Sequence, residues 1–175
     1  MVKVGEKAPT FSAKAYMNGQ ITKLSSADFK KKWIVLFFYP RDFTFVCPTE
    51  LKGFANAENE FKKNNAVLVS CSTDSEFSHK AWFERDLAMV KYPILADTNH
   101  AISRAYDVLV EETGEALRGT FIIDPDGVLQ YSVVSNMNVG RSIDETLRVL
   151  QALQTGGLCP LEWKPGQDTL DKKKK

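Results

Sequence analysis

An α/β fold with a mixed sheet and helices on both faces is what this sequence predicts. Three observations carry that expectation. Residues 33–39 (Trp-Ile-Val-Leu-Phe-Phe-Tyr) and 66–71 (Ala-Val-Leu-Val-Ser-Cys) are near-continuous apolar runs rich in β-branched and aromatic residues, the pattern of strands buried on both faces. Segments of helical periodicity follow each of them, giving the strand–helix alternation of parallel neighbours. Near the C-terminus, Asp126-Gly127 separates two strand-like runs as a hairpin turn would, which adds antiparallel pairing.

The elements follow in order. The first strand is closed by Pro40, and after a turn over residues 40–44 a helix is expected to begin at Pro48, since proline suits a first helical turn. Glu50 lies in that turn, where negative charge is favourable. Leu51, Phe54 and Phe61 form its apolar stripe, and residues 62–65 (Lys-Lys-Asn-Asn) end it. After the strand at 66–71, Asp74 or Ser75 can cap a helix carrying Phe77, Ala81 and Trp82. Residues 93–96 read as a short strand and 98–106 as a helix. Gly114 marks a turn before the strand at 119–124, and residues 128–135 form the second arm of the hairpin. Ser142 caps a last helix with Ile143, Leu147, Leu150 and Leu153 at helical spacing, ending near Gly156-Gly157. The expected organisation is one domain over 1–157 and an extended, unpacked tail over 158–175.

With 175 residues, 43% hydrophobic and 26% charged, the chain can bury a real core and is neither disordered nor low in complexity. A net charge of +1 gives no electrostatic footprint for nucleic acid or an anionic membrane. The lysines at 172–175 read as a solvated end. No run approaches the ~20 apolar residues of a membrane span. The N-terminus lacks the plan of a secretory signal, so a cytoplasmic location is expected.

Cys47, Cys71 and Cys159 are too few, and wrongly spaced, for a disulfide framework or zinc site. Cys47 stands between a buried strand and a helix start, where free N–H groups and the helix dipole favour a thiolate. Arg41, Arg118 and Arg141 are candidates for a neighbouring cation. Cys71 sits inside a buried strand and reads as inert core. His79 and His100 stand alone, without metal-ligand spacing, and are expected in satisfied polar or surface roles; neither a metal nor a cofactor is expected.

The stretch Pro40-Arg41-Asp42-Phe43-Thr44-Phe45-Val46-Cys47-Pro48-Thr49-Glu50 resembles the active-site signature PxxxTxxC of the peroxiredoxins in its extended form. The resemblance continues through residues 74–82 (Asp-Ser-Glu-Phe-Ser-His-Lys-Ala-Trp), 118–124, 139–142 and 159–166, so it covers nearly the whole chain. It is closest to the typical 2-Cys subgroup, which includes the alkyl hydroperoxide reductase C component.

That resemblance implies a thioredoxin-like fold with an added N-terminal hairpin and helical insertions. It implies a peroxidase whose attacking thiol is Cys47, with Thr44 and Arg118 donating to the peroxide oxygens and Pro40 covering the sulfur. Glu50 and Arg141 would orient Arg118, and Trp82 would support the site structurally. Cys159 would be the resolving thiol, forming a disulfide with Cys47 across a homodimer, which the family can assemble further into a ring of five dimers. Leu158 stands where the family often has valine, an apolar exchange. The implied partners are a peroxide and a dithiol donor, either thioredoxin or a flavoprotein-type disulfide reductase; no nucleic acid or membrane is implied.

Two departures bear on over-oxidation. Residues 86–92 lack the Gly-Gly-Leu-Gly insertion of easily over-oxidised forms, and no terminal Tyr-Phe helix follows residue 166, so a robust enzyme is expected. A thioredoxin-like disulfide reductase is disfavoured by the absence of Cys-x-x-Cys. A holdase chaperone, which the family's rings can be, is marked by no feature of the chain.

Overall fold

The computed structural model describes residues 2–171; the lysine run at 172–175 lies outside them. Contacts divide the chain into two compact units, the first ending at Arg141 and the second beginning at Ser142. The expected division between 157 and 158 falls inside the second unit.

In the first unit the elements are β1 (Ser12–Met17), β2 (Gln20–Ser25), β3 (Trp33–Phe38), α1 (Cys47–Lys63), β4 (Ala66–Ser72), α2 (Glu76–Asp86), β5 (Ile94–Ala96), α3 (Ala101–Ala105), β6 (Leu109–Val110), β7 (Glu115–Ala116), β8 (Arg118–Ile123) and β9 (Leu129–Ser135). Seven strands form one sheet in the order β2-β1-β5-β4-β3-β8-β9. β3, β4 and β5 run parallel at its centre, and every other pairing is antiparallel, so the sheet is mixed.

Alternation along β3 places helices on both faces. Ile34, Leu36 and Phe38 join a core with Phe11, Ile102 and Tyr106, the last two from α3 and the residue closing it. Phe37 points the other way and stacks on Phe54 of α1 with ring centroids 4.1 Å apart. The register also determines where the site lies. Phe37 pairs with Thr120 of antiparallel β8, so Arg118 at the start of β8 reaches the sheet edge where β3 ends and α1 begins.

Several local expectations are revised. α1 begins at Cys47 rather than Pro48, so the cysteine is itself in the first turn. The helix expected over 98–106 is only five residues long. The Asp97 carboxylate accepts the backbone N–H groups of Ile102 and Ser103, and His100 is left-handed at φ +61°, so the preceding residues make a turn. Gly114, at φ +71°, closes a separate two-stranded sheet of β6 and β7 before β8 begins.

The second unit holds α4 (Ile143–Thr155), with the Ser142 hydroxyl accepting from the Glu145 N–H and left-handed Gly156 ending it. The segment after it is not an extended, unpacked tail. Leu158 N–H donates to Asp171 Oδ1 (2.8 Å), Leu170 N–H to the Leu158 carbonyl (2.9 Å), and Arg148 Nη1 of α4 to the Trp163 carbonyl (3.1 Å). Trp163 is buried and its indole N–H donates to the Gln167 carbonyl. No helix among the described residues is long and apolar enough to cross a membrane.

Candidate active site

β3 runs into Tyr39 and Pro40, both buried, and the chain then crosses a loop to Cys47. Val46, the residue before α1, offers no side-chain cap; its carbonyl accepts from the Thr49 N–H and hydroxyl. The helix start is therefore open on the side of Cys47. Cys47 is 1% exposed.

A buried ionic cluster surrounds the sulfur. Arg118 Nη1 lies 3.4 Å from Cys47 Sγ and donates to Glu50 Oε2 at 2.7 Å, while its Nε donates to the Met137 carbonyl at 2.7 Å. Glu50, one turn along α1 from Cys47, also accepts from three donors of Arg141: backbone N–H (2.9 Å), Nε (2.8 Å) and Nη2 (3.0 Å). Arg141 is fixed in turn by the carbonyls of Phe38 and Gly119 and the Thr120 hydroxyl, with its guanidinium 5.3 Å from the centre of the Phe37 ring. Both arginine side chains are only 4% exposed. Burial alone would raise the Glu50 carboxyl. The hydrogen bonds and charge of Arg141, aided by the charge of Arg118, outweigh that and hold it below the usual carboxylate range.

The remaining residues are placed as follows. The Thr44 hydroxyl donates to the Arg41 carbonyl at 2.9 Å, and no hydrogen bond joins it to Cys47 among the described residues. Trp82 of α2 is buried and packs on Tyr39 and Phe43, bracing the loop from below. Cys71 is fully buried in β4; burial, with the charge of Asp97, pushes its thiol well above the usual range. Cys159 stands in the second unit, where Sγ donates to the Ala152 carbonyl (3.6 Å) and meets Thr155 Oγ1 at 3.4 Å. All three cysteines are free thiols.

The sequence profile of the AhpC/TSA family matches residues 4–132. The chain belongs to this family of peroxiredoxins. It is a thiol peroxidase with a thioredoxin-like fold. The Bacillus subtilis (strain 168) protein YkuU is 53% identical over 175 residues, covering 95% of this chain and 97% of that one. The Caenorhabditis elegans peroxiredoxin prdx-2 is 48% identical over 176 residues, covering 95% and 88%. Among solved structures, the reduced 2-Cys peroxiredoxin of Plasmodium vivax superposes with a TM-score of 0.92 at 36% identity, covering 97% of this chain and 93% of that one.

His79 takes the satisfied polar role expected of it, in a buried pair beside the peroxidase site. Asp42 and His79 are both buried and lie 2.8 Å apart, joining the loop before Cys47 to α2. Their separation along the chain gives no periodic signal. Only the unusual burial of two polar residues marks them.

Proposed function

We propose that the protein reduces hydrogen peroxide and organic hydroperoxides through a Cys47 sulfenic acid resolved by Cys159 of the partner subunit. The observation that carries this reading is the guanidinium of Arg118, 3.4 Å from a buried sulfur at an uncapped helix start. The Cys47 thiolate attacks one peroxide oxygen; the S–O bond forms as the O–O bond breaks, and the departing oxygen leaves with a proton as water or alcohol. Charge develops on both oxygens in that step, and fixed donors stabilise it without reorganising. Arg118 supplies one donor fork, and the Thr44 hydroxyl supplies another by rotating away from the Arg41 carbonyl. Pro40 shields the sulfur from water. Glu50 and Arg141 hold the Arg118 plane.

Resolution follows as thiol exchange. The Cys159 sulfur attacks the sulfenic sulfur, an S–S bond forms, and water leaves. A dithiol donor, thioredoxin or a flavoprotein-type disulfide reductase, then takes the disulfide back to two thiols. A homodimer, further assembled as a ring of five dimers, brings the two sulfurs together in the cytoplasm. The solved 2-Cys relative supports the two-thiol reading.

After one equivalent of peroxide, a non-reducing gel should show a covalent dimer. It should be absent in Cys159→Ser and retained in Cys71→Ser, whose thiol is buried in the core. A wild-type chain that stays monomeric on the gel would overturn the intersubunit assignment. Assays with each purified reductant then identify the donor.

A further inference from the structure

The loop between β3 and α1 is held by a single deep anchor. From Arg41 to Val46, Asp42 is the only buried side chain. Its carboxylate accepts three hydrogen bonds, each 2.8 Å long: Oδ1 from the Tyr39 hydroxyl, and Oδ2 from the Ser78 hydroxyl and from His79 Nδ1. The other ring nitrogen of His79 lies 3.2 Å from the Leu95 carbonyl of β5. Both ring nitrogens thus lie within hydrogen-bond distance of an oxygen. The backbone N–H of Asp42 donates to Asp74 Oδ2 (2.9 Å), itself held by the Ser72 hydroxyl (2.7 Å). One residue therefore ties the loop to β4, α2 and, through His79, β5.

The neighbouring residue shows what this anchor opposes. Phe43 is left-handed at φ +57°, a strained conformation for a bulky side chain. Strain of this kind persists only where the surroundings impose it. Phe43 is half exposed and rests on Trp82 and the Arg85 guanidinium, so its own packing is partial. The firm constraint is at Asp42. Cys47, four residues beyond Phe43, is buried, so its sulfur can reach a bulky reagent only if the first turn of α1 opens.

We propose that Asp42 and His79 form a positioning pair that holds the strained loop closed and sets how often the Cys47 turn opens. A buried pair of this kind is costly to half-remove, because the surviving polar group is left without its hydrogen-bond partner. The inference concerns the reduced resting protein. It deepens the peroxidase reading, yet its test needs no peroxide.

The test is the rate of alkylation of each cysteine by N-ethylmaleimide in the full-length reduced protein, resolved by mass spectrometry. Cys71, buried in β4, reports opening of the whole core, whereas Cys47 reports opening of the loop. Asp42→Asn is expected to raise the Cys47 rate about tenfold while leaving that of Cys71 unchanged. Tyr39→Phe, which removes one donor and no charge, should give a smaller rise of about threefold, and serves if Asp42→Asn does not fold. An unchanged Cys47 rate, or Cys47 and Cys71 rising together, would overturn the proposal. Peroxide consumption by Cys47→Ser would instead defeat the functional reading and leave the alkylation result standing.

Discussion

Peroxide consumption is expected to vanish in Cys47→Ser and to fall by about 10²–10³-fold in Arg118→Met, measured by stopped-flow mixing with hydrogen peroxide. The first loss follows because a serine hydroxyl is neither ionised nor nucleophilic enough to break an O–O bond near neutral pH. The second follows from geometry. Arg118 donates at once to Met137, Glu50 and the Cys47 sulfur, which needs a planar fork of several N–H groups. Methionine fills the volume but offers no donor to a developing oxyanion. Arg118→Lys should recover little of the rate, since one ammonium on a flexible stem cannot reproduce the fork. A rate within threefold of wild type in a folded Arg118→Met protein would remove Arg118 from the chemistry.

Glu50→Gln is expected to cost about 3–5 kcal/mol of stability, read from denaturant unfolding at fixed protein concentration. The carboxylate is the shared counter-ion of two buried guanidinium groups and accepts four hydrogen bonds from them and from the Arg141 backbone. An amide removes the charge and turns two N–H donors toward other donors. The same carboxylate makes the wild-type site sensitive to acid. Its folded pKa lies below the ordinary value of 4.5, so its contribution is fully present above that value. It is lost as pH falls through the lowered folded pKa. Wild type should therefore lose stability over that acid range more steeply than Glu50→Gln. Parallel pH profiles would show that Glu50 is not ionised in the fold.

Much of this architecture is legible in the sequence where burial leaves a local pattern. The apolar runs behind β3 and β4 and the stripe of α1 could be placed because both faces of a central strand, or one face of a helix, must be apolar. The hairpin joining β8 and β9 is written in Asp126-Gly127, and α4 in Ser142 and Gly156. Features fixed by distant partners were not legible. The short α3 depends on Asp97 capping from four residues upstream of the helix, and the late start of the helix follows from it. Arg141 could be placed on Glu50 only through the family resemblance, because residues so far apart in sequence meet only through the sheet. Asp42 and His79 both lie in stretches that carry the resemblance, yet nothing local joins them, and periodicity is blind to the pair. Trp163 was the overlooked local signal in the C-terminal segment, since a large indole seldom stays in water when a partner for its N–H is near.

The ionic cluster also has a charge inventory that changes as the enzyme turns over. Two buried guanidinium groups face one carboxylate, so the set is electrically neutral only while the Cys47 sulfur is an anion. Conversion of that sulfur to a sulfenic acid or disulfide leaves one positive charge without a counterpart in a site that excludes water. Uncompensated charge of this kind is costly to bury. Oxidation thus weakens the electrostatic reason for keeping the sulfur inside, and reduction restores it. On the proposed mechanism, the arginine pair that steadies charge on the peroxide oxygens would also act as a ratchet, favouring release of the spent sulfur and recapture of the recharged one.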